Sequence, residues 1–285
     1  MNATTHTTLQ LVTEMPAISA LMSDEVTDGI KQRIAQCFQA NGLFPSSAEH
    51  LSSLRGVCGR GSASVREVAE AACEDPVSPI RLLQRVNSSF YGRAKLVTSI
   101  VDAVNQVGIQ PLPDTIASSA KEESLSKFFR GRSAAAVVYA EMLFTVELAR
   151  EFYKKLSRTQ KNVTDVMLGA SLSNLGVLGV MLVRPSVGAA LLAEMVASPL
   201  FDLDPIWKRI FGASPAEYSA EIVRELFQGS ALDRSCTLVG ATSRRRVRHA
   251  VGEPVGGDDI SAAIFYARRL AREIVFHTGI SVLTD

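Results

Sequence analysis

The chain has 285 residues, enough to bury roughly 75% of its extended surface in one large core or two smaller ones. Lys and Arg number 30 against 29 Asp and Glu, and the resulting net charge of +1 provides no global field that would point to nucleic acid or an acidic surface. The four cysteines, Cys37, Cys58, Cys73 and Cys236, are scattered and form no Cys-x-x-Cys pair, which argues against a disulfide framework or zinc site and for thiols in a reducing compartment.

Residues 1–15 read as a polar arm, and Met1 to Leu11 lacks the basic and apolar regions of a secretory signal, so a cytoplasmic location is expected. Leu43-Phe44-Pro45 leads into Leu51 and Leu54. Gly59-Arg60-Gly61 resembles a phosphate loop only superficially, because it lacks a third glycine, a Lys-Ser/Thr ending and a preceding strand. It reads better as the loop before a capping box, in which Ser64 pairs with Glu67 and Val65, Val68 and Ala72 line one face.

The stretch Glu74 to Gly92, EDPVSPIRLLQRVNSSFYG, is the most distinctive in the chain. Asp75 is a good N-cap, and Pro76 fits a first helical position where its missing N–H costs nothing. Ile80, Leu83 and Asn87 follow at helical spacing, Leu82 and Val86 widen the apolar face, and Gly92 ends the helix or turns the chain. A second helix is predicted after Ser99, which pairs with Asp102 in a box-like cap, and Gly108 is placed as its C′ residue. Pro111 and Pro113 break helical continuity and set a soft boundary at residues 110–121.

Beyond that boundary, Val138, Met142, Val146, Ala149, Phe152 and Leu156 form a long apolar stripe, with Glu141, Glu147, Arg150, Glu151 and Lys154 assigned to the other faces. Val166 to Val183 carries no charge and is long enough to raise the membrane question. Ser171, Ser173, Asn174 and three glycines interrupt it, which favours a buried central helix and no membrane span. Trp207, among Ile206, Ile210 and Phe211, reads as core. Arg244, Arg245, Arg246, Arg248 and His249 form the densest charge run, a candidate basic patch. Nearby glycines and acids make an exposed loop the simpler reading. The last helix, capped by Asp259, is expected to bury Ile260, Ile264, Ala267, Leu270 and Ile274, with His277 and Gly279 at its end.

Asp75, Pro76, Leu83, Asn87, Ser88, Tyr91 and Gly92, followed by Ser99-Ile100, Ala103-Val104 and Val107-Gly108, together resemble the signature of the HDOD family. These are helical regulatory relatives of the HD metal phosphohydrolases. The likeness covers most of residues 40–280, being specific in the first half and looser in the second. FFRGRSAAA from Phe128 resembles the Trp-Arg-His-Ser entry to a long helix, and LGASLSNLGVL from Leu168 resembles Gly-Leu-Leu-His-Asp-Ile-Gly. This alignment places Arg132 at the first HD histidine, Ser173 and Asn174 at the His-Asp dyad, and Pro215 or Ala216 near a later histidine. A guanidinium has no lone pair to donate and repels a cation, and neutral oxygens do not hold a catalytic transition metal unaided. Arg132, Ser173 and Asn174 are the candidates for a degenerate polar pocket, either satisfied between packed helices or open to an anion or nucleotide.

The resemblance implies an all-α HDOD-like fold. An N-terminal helical lobe, residues 16–115, would pack on a degenerate HD-like helical lobe, residues 116–285. It also implies a non-catalytic bacterial signalling module without cofactor or metal. Its partners would be signalling proteins acting in trans: histidine kinases, response-regulator receivers or cyclic-dinucleotide enzymes. Two alternatives stay open. One is a divergent metal-dependent phosphohydrolase with unrecognised ligands; the other is a nucleic-acid-associated regulator using the Arg244–His249 run.

Overall fold

The structure, a computed structural model, describes residues 29–39, 42–88, 97–157, 162–197, 203–227 and 259–278. Among these the chain is all-α apart from one short parallel pair, β1 (Ser46–Ser47) with β2 (Glu122–Glu123), which aligns Ser46 with Glu122. The early helices are α1 (Ile30–Phe38), α2 (Ala48–Cys58), α3 (Val65–Ala72), α4 (Ser78–Val86), α5 (Ile100–Val107) and α6 (Leu112–Ala117). After β2 come α7 (Leu125–Phe129), the long α8 (Ser133–Leu156), α9 (Val163–Ser173), α10 (Leu175–Val183), α11 (Pro185–Ala197), α12 (Asp204–Phe211), α13 (Pro215–Leu226) and α14 (Asp259–Thr278).

Local signals set many of the helix starts. At α3 both halves of the capping box are made: Ser64 Oγ accepts from the Glu67 amide, and the Glu67 carboxylate accepts from the Ser64 amide at 2.8 Å. Ser214 and Glu217 repeat the device at α13. Ser99 accepts from the Asp102 amide at α5, and Gly108 closes that helix at φ 91°, a conformation glycine adopts without strain. Helical continuity is interrupted next to Pro111 and Pro113, α5 ending at Val107 and α6 beginning at Leu112. Pro111 is the N-cap residue of α6, and Pro113 sits in its first turn, where a proline gives up only an amide that would have had no intrahelical acceptor.

The apolar segment Val163–Val183 lies at the centre of the fold. It is long and apolar enough to cross a membrane, and its most apolar window is 94% buried inside the protein. It is two helices, α9 and α10, separated at Asn174. α9 packs against α3 and α5 on one side and against α8, α13 and α14 on the others. The first and second halves of the chain therefore share this helix, and their buried residues form a continuous hydrophobic cluster.

α1 lies against α10 and α13, so residues 30–38 pack on helices of the second half. The approach is close. A Cβ at Gly179 would overlap the Cγ2 of Ile34 and stand 3.1 Å from its Cβ and Cγ1, so glycine lets α1 seat on α10.

Among the described residues the α8–α14 packing is the most extensive, and it corrects the expected face of α14. Leu270 is 41% exposed, and Ile274 is only partly buried. The buried face is Ile260, Ala263, Ile264, Ala267, Ala271 and Val275. Alanines are frequent among the buried residues of both helices, and small side chains permit closer helix approach than leucines.

Candidate functional site

The position expected for the His-Asp dyad is the break between α9 and α10. Ser173 ends α9, and its hydroxyl donates to the Ala170 carbonyl at 2.7 Å. Asn174 is buried and spans two elements. Its Nδ2 donates to Glu141 Oε1 on α8 at 3.0 Å, and its Oδ1 accepts from Arg268 Nη2 on α14 at 2.8 Å. The same Glu141 oxygen accepts from Arg272 Nε at 3.1 Å and Nη2 at 2.8 Å. Glu141 is 1% exposed and Arg272 8%, so this is a buried, charge-assisted pair with three N–H groups converging on one carboxylate oxygen.

Glu141 was expected on a polar face of α8; it lies in the core. A buried carboxylate needs a counter-charge and hydrogen-bond donors, and Arg272 and Asn174 provide both. A catalytic metal does not fit these residues. Among the described residues, no three His, Cys, Asp or Glu side chains come together. The carboxylate at the dyad position already carries a guanidinium, and the Asn174 carbonyl oxygen is engaged by Arg268. An added cation would meet positive charge where a metal site presents lone pairs.

Arg132 does not join this cluster. It is the N-cap residue of α8, its guanidinium donates to the Phe128 carbonyl, and it lies 4.7 Å from the Phe128 ring centroid. Glu141 follows roughly 13 Å further along the helix axis at α-helical rise. The later histidine position, Pro215 and Ala216, is the buried first turn of α13.

A second buried polar network surrounds Asp75. Its Oδ2 accepts from the Ser78 amide at 2.7 Å and the Ser78 hydroxyl at 2.5 Å, while Oδ1 accepts from the Tyr139 phenol on α8. Asp75 is not the N-cap residue that the sequence suggests: α4 starts at Ser78 with Val77 as its N-cap, Asp75 reaches the Ser78 amide from outside that position, and Pro79, not Pro76, occupies the first turn. Pro76 belongs to the bend before it. One turn on, Arg81 is 1% exposed; its Nη1 donates to Ser46 Oγ at 2.6 Å and its Nη2 to the Phe44 carbonyl. Burial pulls the Arg81 pKa down to about 10, opposed by the negative charge of Asp75. Burial, and then the Asp75 charge and hydrogen bond, push the Tyr139 phenol well up, so it remains a proton donor. Phe44, Phe128, Phe129 and Tyr139 form an aromatic cluster around these groups.

The remaining motif residues have plain structural duties. Leu83 is buried in α4. Asn87 closes the end of that helix: its Nδ2 donates to the Val97 carbonyl at 2.8 Å, and its Oδ1 accepts from the Val97 amide at 2.7 Å. Ser88 Oγ donates to the Arg85 carbonyl at 2.7 Å. Tyr91 and Gly92, and the basic-patch candidates Arg244, Arg245, Arg246 and Arg248 with His249, lie outside the described residues.

The profile of the HDOD domain matches residues 44–225. The chain belongs to the HDOD family. Among solved structures, this HDOD protein is similar to a virulence factor from Campylobacter jejuni subsp. jejuni. That match has a TM-score of 0.57 at 15% identity, covering 87% of this chain and 83% of the other. It is also similar to the MmoQ response regulator from Methylococcus capsulatus str. Bath, with a TM-score of 0.53 at 15% identity, covering 80% and 85%. At these identities the likeness concerns the fold. No curated protein sequence matches the chain.

Sequence reasoning about this HDOD protein missed Glu141, Arg268 and Arg272 as a cluster, and Arg81 and Tyr139 as partners of Asp75. A single acid in the run AAAVVYAEMLF was the available signal for Glu141. Arg268 and Arg272 lie beyond the span that the family profile matches, so no motif pointed to them.

Proposed function

We propose that this HDOD protein is a non-catalytic, cytoplasmic bacterial signalling module that acts through protein–protein contacts. The observation that carries the reading is the Glu141–Arg272 pair with Asn174 at the dyad position. HD chemistry needs a metal-bound water with a lowered pKa. At the two positions expected for the dyad stand an amide and a hydroxyl engaged within its own helix, and the carboxylate beside them is paired with an internal guanidinium, which supports the reading. A relative of enzymes that has filled its site in this way keeps the fold as a scaffold for recognition. That one structure of similar fold, MmoQ, is a response regulator supports a signalling context.

The partners follow from the family resemblance: histidine kinases, receiver domains or cyclic-dinucleotide enzymes supplied in trans. The test is a two-hybrid array of these three classes from the source organism, run beside a phosphodiester assay with bis-p-nitrophenyl phosphate and added manganese. Reproducible pairing with a member of one class, and no hydrolysis, is the expected result. No pairing with any class overturns the partner assignment, and manganese-dependent turnover abolished by Asn174→Ala overturns the non-catalytic reading.

A further inference from the structure

Within α8, Tyr139 and Glu141 are buried polar anchors among largely apolar buried residues. Two positions apart at 3.6 residues per turn, they point roughly 200° apart, to opposite sides of the helix. Tyr139 donates to Asp75, whose carboxylate caps α4, and α4 in turn places Arg81 on the Phe44 carbonyl and Ser46. Glu141 accepts from Asn174 at the α9–α10 break and from Arg272 of α14. The two networks lie on different sides of α8, and both are fixed to the same turn of that helix.

We infer that α8 is a coupling element whose rotation or axial shift is read at both networks, linking the degenerate dyad position to the Asp75 motif. Buried hydrogen bonds tolerate only a few tenths of an ångström of stretch, so a movement of α8 that loosens one anchor strains the other. The helices around it are positioned for such a transfer. α8 packs on α7, α9, α10, α11 and α14, and α9 carries the contact onward to α3 and α5 of the first half. A ligand or partner that reorders α14 would therefore change the α4 end of the molecule, which is the intramolecular step a signalling module requires. Linkage makes the coupling reciprocal: a partner that binds at α14 and alters affinity at the α4 end has its own affinity altered by the same factor when that end is occupied.

The inference rests on the signalling reading for its purpose, but its test uses the isolated chain and no partner, so either can fail without the other. Amide hydrogen exchange is measured by NMR on the wild type, Tyr139→Phe, Asn174→Ala and a control, Ser64→Ala, which breaks the exposed α3 cap. Asn174→Ala is expected to speed exchange at the Ser78 and Arg81 amides by about fivefold or more, and Tyr139→Phe to do the same at 268–272 of α14. Ser64→Ala should leave both regions within about twofold of wild type. Acceleration confined to each variant's own network, or an equal rise in the Ser64→Ala control, overturns the inference.

Discussion

Replacing Arg272 with alanine is expected to lower the unfolding free energy by about 3–5 kcal/mol, one of the two largest effects predicted for a single side chain here. Arg272 and Glu141 are both buried, and two of the three N–H groups on the Glu141 oxygen come from Arg272. Truncation removes the counter-charge and leaves the Glu141 carboxylate in a low-dielectric interior with one neutral amide as donor. It also removes packing area from the α8–α14 contact, because an arginine stem covers apolar surface along its length. The pair is not itself a large source of stability, since desolvation offsets most of its Coulomb attraction. The double variant Glu141→Leu, Arg272→Met is therefore expected to return most of the loss. Urea denaturation of the wild type, Arg272→Ala and the double variant checks this. A double variant no more stable than Arg272→Ala would show that the pair contributes net stability beyond relief of a stranded charge.

Asp75→Ala is expected to cost about 3 kcal/mol or more, because one carboxylate satisfies several groups at once. Without it the Ser78 amide loses its cap, the Tyr139 hydroxyl loses its acceptor in the core, and the buried Arg81 guanidinium loses its nearby negative charge. The losses can be separated. Tyr139→Phe removes donor and leaves acceptor with its other partners, and about 1 kcal/mol is expected. Asp75→Asn keeps an oxygen for the cap but neither the charge nor the second acceptor, and should fall between the two. Thermal and urea unfolding of the three variants should rank them in that order. A destabilisation by Asp75→Ala no larger than that of Tyr139→Phe would mean that the cap and the Arg81 charge contribute nothing.

What was legible in the sequence was local. Ser64 and Glu67 are three residues apart, and their capping box forms as read. The central apolar run was read as a buried helix, and Trp207 as core; both are buried in the fold. Errors came where a partner lies far along the chain. Asp75 reads as an N-cap, but α4 begins at Ser78 instead of Pro76 with Val77 in that place, and the second Asp75 oxygen serves Tyr139 across 64 positions. Glu141 shares its helix with Glu147, Arg150, Glu151 and Lys154, so charge pattern alone assigned it to the outside. Its partner Arg272 stands 131 positions away. The same limit shifted the face of α14, where hydropathy favours Leu270 but closeness to α8 favours Ala271. Ser173 and Asn174 do fall at the break between buried helices, whereas Arg132, placed by motif likeness, remains at the start of α8.

The most direct test of the central claim, that an internal ion pair fills the degenerate HD position, is elemental mass spectrometry of the protein expressed with added manganese, iron and zinc. The account predicts metal well below one equivalent per chain, removed fully by chelator. One equivalent of chelator-resistant metal per chain, lost on Glu141→Gln, would contradict it and return this protein to the phosphohydrolases.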